Sequence, residues 1–168
     1  AALAEILAAS PPKAIYSSPL ERALETAEPI ARAFNLDIFQ REGLLETHYG
    51  DWQDKTVKSL SRAKSWRLVQ SAPSRFRFPG GEAFADGQAR IRQEIDALAM
   101  QHDPKDILIC VSHADPIKLA IAFYLGLPLD LFQRLVVLPG SINVLAVGET
   151  GSQLLALNLN ASLTLPKP

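Results

Sequence analysis

The sequence holds a single cysteine in 168 residues, so no intrachain disulfide can form and a cystine-stapled secreted scaffold is a poor fit. That residue, Cys110, lies in an apolar run, which points to a reducing compartment and a cytoplasmic protein. No apolar stretch reaches the roughly 18 residues that a bilayer crossing needs. The longest, residues 117–129, is interrupted by Gly126 and Pro128. The opening AALAEILAAS carries Glu5 inside its apolar run and has no basic segment ahead of it, unlike a secretory leader. Its Leu3, Ile6 and Leu7 instead share one helical face before Ser10-Pro11-Pro12 stops the pattern. An excess of one charge is also missing: 17 Lys and Arg face 18 Asp and Glu, net −1. This argues against nucleic-acid and membrane-surface partners.

Several site signatures are absent as well. Neither GxxxxGK[ST] nor GxGxxG occurs, so the phosphate loops of nucleotide-binding folds are not written here. GxSxG is missing despite Ser17 and Ser112, which weakens a serine hydrolase. His48, His102 and His113 have neither HExxH spacing nor cysteine companions, so neither a metal nor a cofactor is expected.

What remains is a globular composition, 48% hydrophobic and 21% charged, with 12 Pro and 9 Gly scattered along the chain. The length fits one domain over residues 1–168. Ala14 to Ser17 reads as a short strand. Ser18, Pro19 and Glu21 then spell the N-cap, N1 and N3 positions of a helix carrying the apolar stripe Leu20, Ala23, Leu24, Ala27, Ile30 and Ala31. A second strand follows at residues 36–39, an irregular segment at 44–52, helix at 59–70, loop at 73–81 and helix at 84–101. Residues 107–111 read as a parallel strand buried on both faces, with Asp115 and Pro116 as N-cap and N1 of the next helix. Two last strands flank a hairpin at Gly148-Glu149-Thr150-Gly151. Alternation of this kind predicts α/β with a mostly parallel sheet and an antiparallel edge.

Turns after parallel strands emerge at one sheet edge, where α/β proteins bind ligands. The turns holding Arg22 and His113 are therefore expected to meet. Arg22 occupies the first turn of its helix, where the macrodipole disfavours a cation. An anion between helix N-terminus and guanidinium would reverse that cost. The competing reading pairs Arg22 with Glu21, Glu25 or Glu28 at the surface, and makes His113 a half-buried hydrogen-bonding residue. Glu46 sits in LLETHYGDW, an acid among large apolar side chains. Partial desolvation there would raise its pKa and hold a proton for donation. An exposed loop carboxylate is the alternative, with Asp51 a rival. Lys55, Lys58, Arg62, Arg67, Arg75 and Arg77 either engage a second anionic group or form a solvated face.

Four segments, IYSSPLERALETA, LLETHYGDW, FPGGE and VSHADPIKLAIAFYLGLP, together resemble the histidine phosphatase superfamily, in the branch of cofactor-dependent phosphoglycerate mutase and small-molecule phosphatases. LERALETAEPIA and LDLFQRLVV further resemble a bacterial phosphomutase and phosphatase subgroup. The resemblance implies a three-layer α/β/α fold and phosphoryl transfer through a phosphohistidine. By motif position Arg22 becomes a phosphate clamp and His113 a second imidazole donating to phosphoryl oxygens. Glu46 becomes the proton donor to the leaving oxygen and then the base for water. The Ala114 N–H, where the family usually has Gly, would also contact phosphate. No metal is needed if arginine and imidazole supply the charge.

The family's Arg-His-Gly hallmark, which carries the nucleophile on the first strand, occurs nowhere in these residues. The resemblance thus implies a preceding segment of roughly 35 to 45 residues that holds this strand, and the 168 residues alone are expected to be inactive. The reading is a phosphomonoesterase acting on a small-molecule phosphate ester. A phosphoglycerate mutase-like phosphomutase and a non-catalytic phosphoryl-ligand binder are the alternatives, and homodimerisation is left open.

Overall fold

The computed structural model describes residues 2–62, 65–148 and 150–159. The first helix, α1 (Ala2–Leu7), leads to β1 (Ala14–Ser17), α2 (Glu21–Phe34) and β2 (Ile38–Gln40). Two 3-10 turns, Glu42–Leu44 and Gly50–Trp52, occupy the irregular stretch. Then come α3 (Val57–Leu60), α4 (Trp66–Ser71), α5 (Phe84–Met100), β3 (Leu108–Val111), α6 (Ala114–Tyr124) and the pair β4 (Ile142–Gly148) and β5 (Gly151–Leu159). Of the expected features, residue 1 of the opening helix and Glu149 of the hairpin lie outside the described residues.

Strands β2, β1 and β3 form a parallel sheet in that order, with Ile15 opposite both Ile38 and Ile109. The period-2 alternation of β1 serves two cores. Ile15 packs with Ala27, Ile30 and Ala31 of α2, whereas Ala14 and Tyr16 join the cluster of Phe84, Ile91 and Leu98 of α5 and Leu119 of α6. Helices on both faces of a parallel sheet make the three layers expected. The antiparallel pair β4–β5 forms its own ladder.

Some local expectations shift. Of the single helix read at residues 59–70, residues 63 and 64 lie outside the described residues, and on either side of them the chain forms the short helices α3 and α4 with turn at residues 61, 62 and 65. Strand β3 is covered on both faces, Leu108 packing against the α5–α6 cluster and Ile109 and Val111 against the α2 cluster, but the cover is incomplete: these three are half-buried and Cys110 is exposed.

Two glycines decide how the segment after β2 reaches the turn before α5. His48 O accepts from Glu82 N at 3.0 Å and Pro79 O from Asp51 N at 2.8 Å. At that approach a Cβ on Gly81 would fall on the His48 carbonyl and one on Gly50, which also has φ +53°, on the Pro79 carbonyl. Both neighbours are backbone and cannot give way cheaply. Gly81→Ala is accordingly expected to lower unfolding free energy by roughly 1–3 kcal/mol in urea titration, whereas Gly148→Ala, whose Cβ would meet only an ordinary contact, changes it by no more than ~0.5 kcal/mol.

Candidate active site

Strands β1 and β3 run parallel side by side, so the chain leaves both at the same sheet edge. Ser18 N extends the pairing to Val111 O at 2.9 Å. The α2 helix then begins at Glu21 behind Leu20 as N-cap, which puts Arg22 in its first turn. The α6 helix begins at Ala114 behind His113 as N-cap. The N–H groups of Glu21 and Arg22 in α2 and of Ala114 and Asp115 in α6 precede the first bonds of their helices, Ala23 N to Leu20 O at 2.8 Å and Ile117 N to His113 O at 3.0 Å. They add to the positive potential of the two N-termini.

These starts differ from the sequence reading, and the difference is informative. Ser18 is not the N-cap of α2; its hydroxyl lies 2.9 Å from His113 Nε2 and takes only a long 3.4 Å bond from Leu20 N. Asp115 is not the N-cap of α6; its carboxylate accepts from Tyr49 Oη at 3.1 Å and lies 2.6 Å from Lys118 Nζ. Both side chains are drawn into the site instead of the helix ends.

Arg22 and His113, 91 positions apart, touch: Arg22 Nε donates to His113 Nδ1 at 3.2 Å. With Nδ1 accepting, the imidazole carries its proton on Nε2 and donates to Ser18 Oγ. Glu46 Oε2 stands 3.8 Å from Arg22 Nη2 and 3.9 Å from His113 Nδ1. The three residues thus form one cluster, and the partners of Arg22 within it are His113 and Glu46, not Glu21, Glu25 or Glu28. Arg22 keeps 60% of its side chain in solvent, against 5% for His113 and 22% for Glu46. An exposed guanidinium therefore covers a buried imidazole. Asp51, the rival acid, lies in the Gly50–Trp52 turn and is exposed.

Burial, with the charges of Arg22 and Arg90 added, pushes the His113 pKa down from 6.5 to about 4. It is neutral at physiological pH. The Glu46 carboxyl goes the other way: burial raises its pKa and the nearby Asp115 charge adds to this, outweighing the Thr47 N–H, the Arg22 charge and the Tyr49 hydroxyl. Burial and the two carboxylates hold Tyr49 far above its ordinary value, so its hydroxyl stays a donor.

Glu46 owes its position to Arg90 on α5, a residue the sequence reading did not single out. Arg90 Nη1 donates to Gly43 O at 3.0 Å and Leu45 O at 2.9 Å, while Nη2 reaches Glu82 Oε1 at 2.8 Å. The same Glu82 oxygen accepts from His48 N at 2.9 Å. Glu82 closes the FPGGE segment, and the expected turn there acts as a clamp on the Glu46 loop. Local sequence offers no signal for this role of Arg90, because the carbonyls by which it holds the Glu46 loop are more than 40 positions away. His102 sits elsewhere, bonded to Tyr16 Oη at 2.7 Å. Among the described residues no group of three or more His, Cys, Asp or Glu side chains is arranged to hold a metal ion, and no helix is long and apolar enough to cross a membrane.

Comparison with known proteins places this geometry. The family model of the histidine phosphatase superfamily (branch 1) matches residues 1–160. Phosphoserine phosphatase 1 of Hydrogenobacter thermophilus is 28% identical over 151 residues, covering 89% of this chain and 71% of that protein. Glucosyl-3-phosphoglycerate phosphatase of Mycolicibacterium vanbaalenii is 34% identical over 138 residues, 77% of this chain and 60% of its own length. The solved structure of mycobacterial glucosyl-3-phosphoglycerate phosphatase with inorganic phosphate superposes with a TM-score of 0.82 at 28% identity, over 96% of this chain and 84% of the other. The chain therefore belongs to the histidine phosphatase superfamily, a family of phosphoryl-transfer enzymes.

Proposed function

We infer that the protein is a metal-independent phosphomonoesterase of the cytoplasm that hydrolyses a small phosphorylated metabolite through a phosphohistidine. The observation that carries this reading is the meeting of Arg22, Glu46 and His113 where α2 and α6 begin. Relatives named as phosphatases of phosphoserine and glucosyl-3-phosphoglycerate support it.

A phosphoryl group seated between the two helix N-termini draws the exposed Arg22 guanidinium and the Ala114 N–H onto its oxygens. Its charge offsets the fields of Arg22 and Arg90 at His113 and raises the imidazole's proton affinity, so that this ring too becomes a donor. In the first step an imidazole nitrogen bonds phosphorus as the P–O bond to the alcohol breaks, and Glu46 gives its proton to the departing oxygen. In the second, water attacks phosphorus, the N–P bond breaks, and Glu46 takes the water's proton. The nucleophile comes from outside these 168 residues. His48 is exposed and His102 is held by Tyr16, so neither stands with the cluster. The outer edge of β3, next to His113, could receive a further strand.

The test is labelling of the complete gene product with a ³²P-monoester, quenched during turnover. An acid-labile, alkali-stable phosphoryl group is expected; turnover without it overturns the intermediate, and absence of hydrolysis overturns the enzyme reading. In that protein Arg22→Ala and His113→Ala each reduce kcat/KM by roughly 10²–10³-fold; near-normal kinetics would remove the residue concerned from the mechanism.

The low pKa of His113 also has a thermodynamic consequence. The unfolded imidazole takes a proton below about pH 6.5, the native one only near pH 4, so native stability falls as pH drops through that window. At 1.36 kcal/mol per unit the loss is at most about 3 kcal/mol. His113→Gln should remove this portion of the acid sensitivity, read as a flatter dependence of unfolding free energy on pH between 6.5 and 4.

A further inference from the structure

The loop that carries Glu46 runs on into a cavity of about 420 Å³, within the range of small-ligand sites, roughly 300–1,000 Å³. Tyr49 and Asp115 belong to both. They line the cavity, are joined by the Tyr49 hydroxyl, and each acts on the Glu46 carboxyl. Glu46 delivers its proton to the oxygen that leaves, so the organic part of the ester extends past Glu46. On that side lies the cavity.

Its walls are aromatic. Trp52 and Trp66 lie near-parallel at 27° with centroids 6.2 Å apart. Phe78 meets Trp52 edge-on at 5.5 Å and Tyr49 at 5.1 Å. Rings fixed against one another in this way offer pre-organised faces for stacking. Among the described residues the charged groups of the wall are Asp54, Lys55 and Asp115, the last paired with Lys118 Nζ at 2.6 Å. Arg77, one of the cations considered above for a second anionic group, is engaged with Asp86 at 2.6 Å. The remaining cations of that set, Lys58, Arg62, Arg67 and Arg75, are exposed and outside the lining. With no surplus of cations among its described residues, such a wall favours an uncharged group over a second phosphate or carboxylate.

We propose that this cavity selects the alcohol part of the substrate, admitting an uncharged aromatic or heteroaromatic ring, with Trp66 as a specificity-determining residue. The assignment rests on the phosphomonoesterase reading. It disfavours exchange between mono- and bisphosphoglycerate, whose carriers bring extra charge to the same space.

The test compares the complete gene product on 2-phenylethyl phosphate, propyl phosphate and 3-phosphoglycerate, all esters of primary alcohols. The phenylethyl ester is expected to exceed the propyl ester in kcat/KM by on the order of tenfold or more, and Trp66→Ala to bring that ratio close to one. Val57→Lys, at a rim position 65% exposed, keeps the test standing if Trp66→Ala does not fold; it should lower the phenylethyl preference and raise relative activity on 3-phosphoglycerate. Hydrolysis of all three esters with no preference for the ring overturns the cavity assignment and leaves the phosphatase reading intact. If no ester is hydrolysed, the phosphatase reading fails and binding of 2-naphthylethanol decides the cavity alone. Saturable quenching of tryptophan fluorescence that weakens in either variant supports the assignment, and no saturable quenching overturns it.

Discussion

The bond from Arg22 Nε to His113 Nδ1 joins the two halves of the site across adjacent parallel strands, and much else follows from it. It requires the imidazole to present a lone pair, which is available only while His113 is neutral, and burial keeps it so. It also brings a guanidinium against two helix N-termini, an accumulation of positive potential that a folded protein keeps only if something offsets it. Glu46, within 4 Å of both partners, supplies part of that offset. The balance is incomplete by construction, because the same carboxyl is desolvated and faces Asp115, which pushes it toward its neutral form. On the proposed reading, a dianionic phosphoryl group satisfies what the protein's own carboxylate leaves unsatisfied.

Rigidity and freedom are distributed accordingly. His113 is fixed from below by Ser18, and Glu46 by the Arg90 clamp on carbonyls of its own loop. Both are therefore held in place before a ligand arrives, which lowers the cost of assembling the transition state. Arg22 is the exception, with its side chain largely in solvent. In the proposed mechanism Arg22 leaves His113 to reach a phosphoryl oxygen, and its exposure keeps the cost of that change small.

Much of this was legible because it depends on rules local to the chain. The apolar runs and the Pro and Gly punctuation located β1, α2, α5, β3, α6 and the terminal hairpin. The geometry of parallel strands then placed Arg22 and His113 on one edge without any knowledge of their contact. The misread positions have a common cause. Ser18 and Asp115 are good N-cap residues by local preference, but each finds a stronger partner far away in sequence, His113 in one case and Tyr49 with Lys118 in the other. Tertiary contacts of this kind override capping preference and leave no local trace. Arg90 was invisible for the same reason. The apolar run of β3 was read correctly as facing two cores, but it could not tell how completely each position is covered, and Cys110 stays exposed.

The segment from Leu45 to Trp52 ties acid-base chemistry to recognition. Its first half carries Glu46, the proton donor of the proposed mechanism, and its second half an aromatic wall, and one hydrogen bond, Tyr49 to Asp115, lies between them. An alcohol group that packs well against the wall holds its ester oxygen near Glu46, whereas one that packs poorly leaves that oxygen free to wander. Selectivity in such an arrangement enters through kcat as well as through KM, because the contact that recognises the leaving group also orients the atom to be protonated. The Glu82–Arg90 clamp serves both ends at once, since it fixes the start of the loop at Gly43 and Leu45 and its middle at His48. Loosening the clamp would therefore degrade proton transfer and discrimination together.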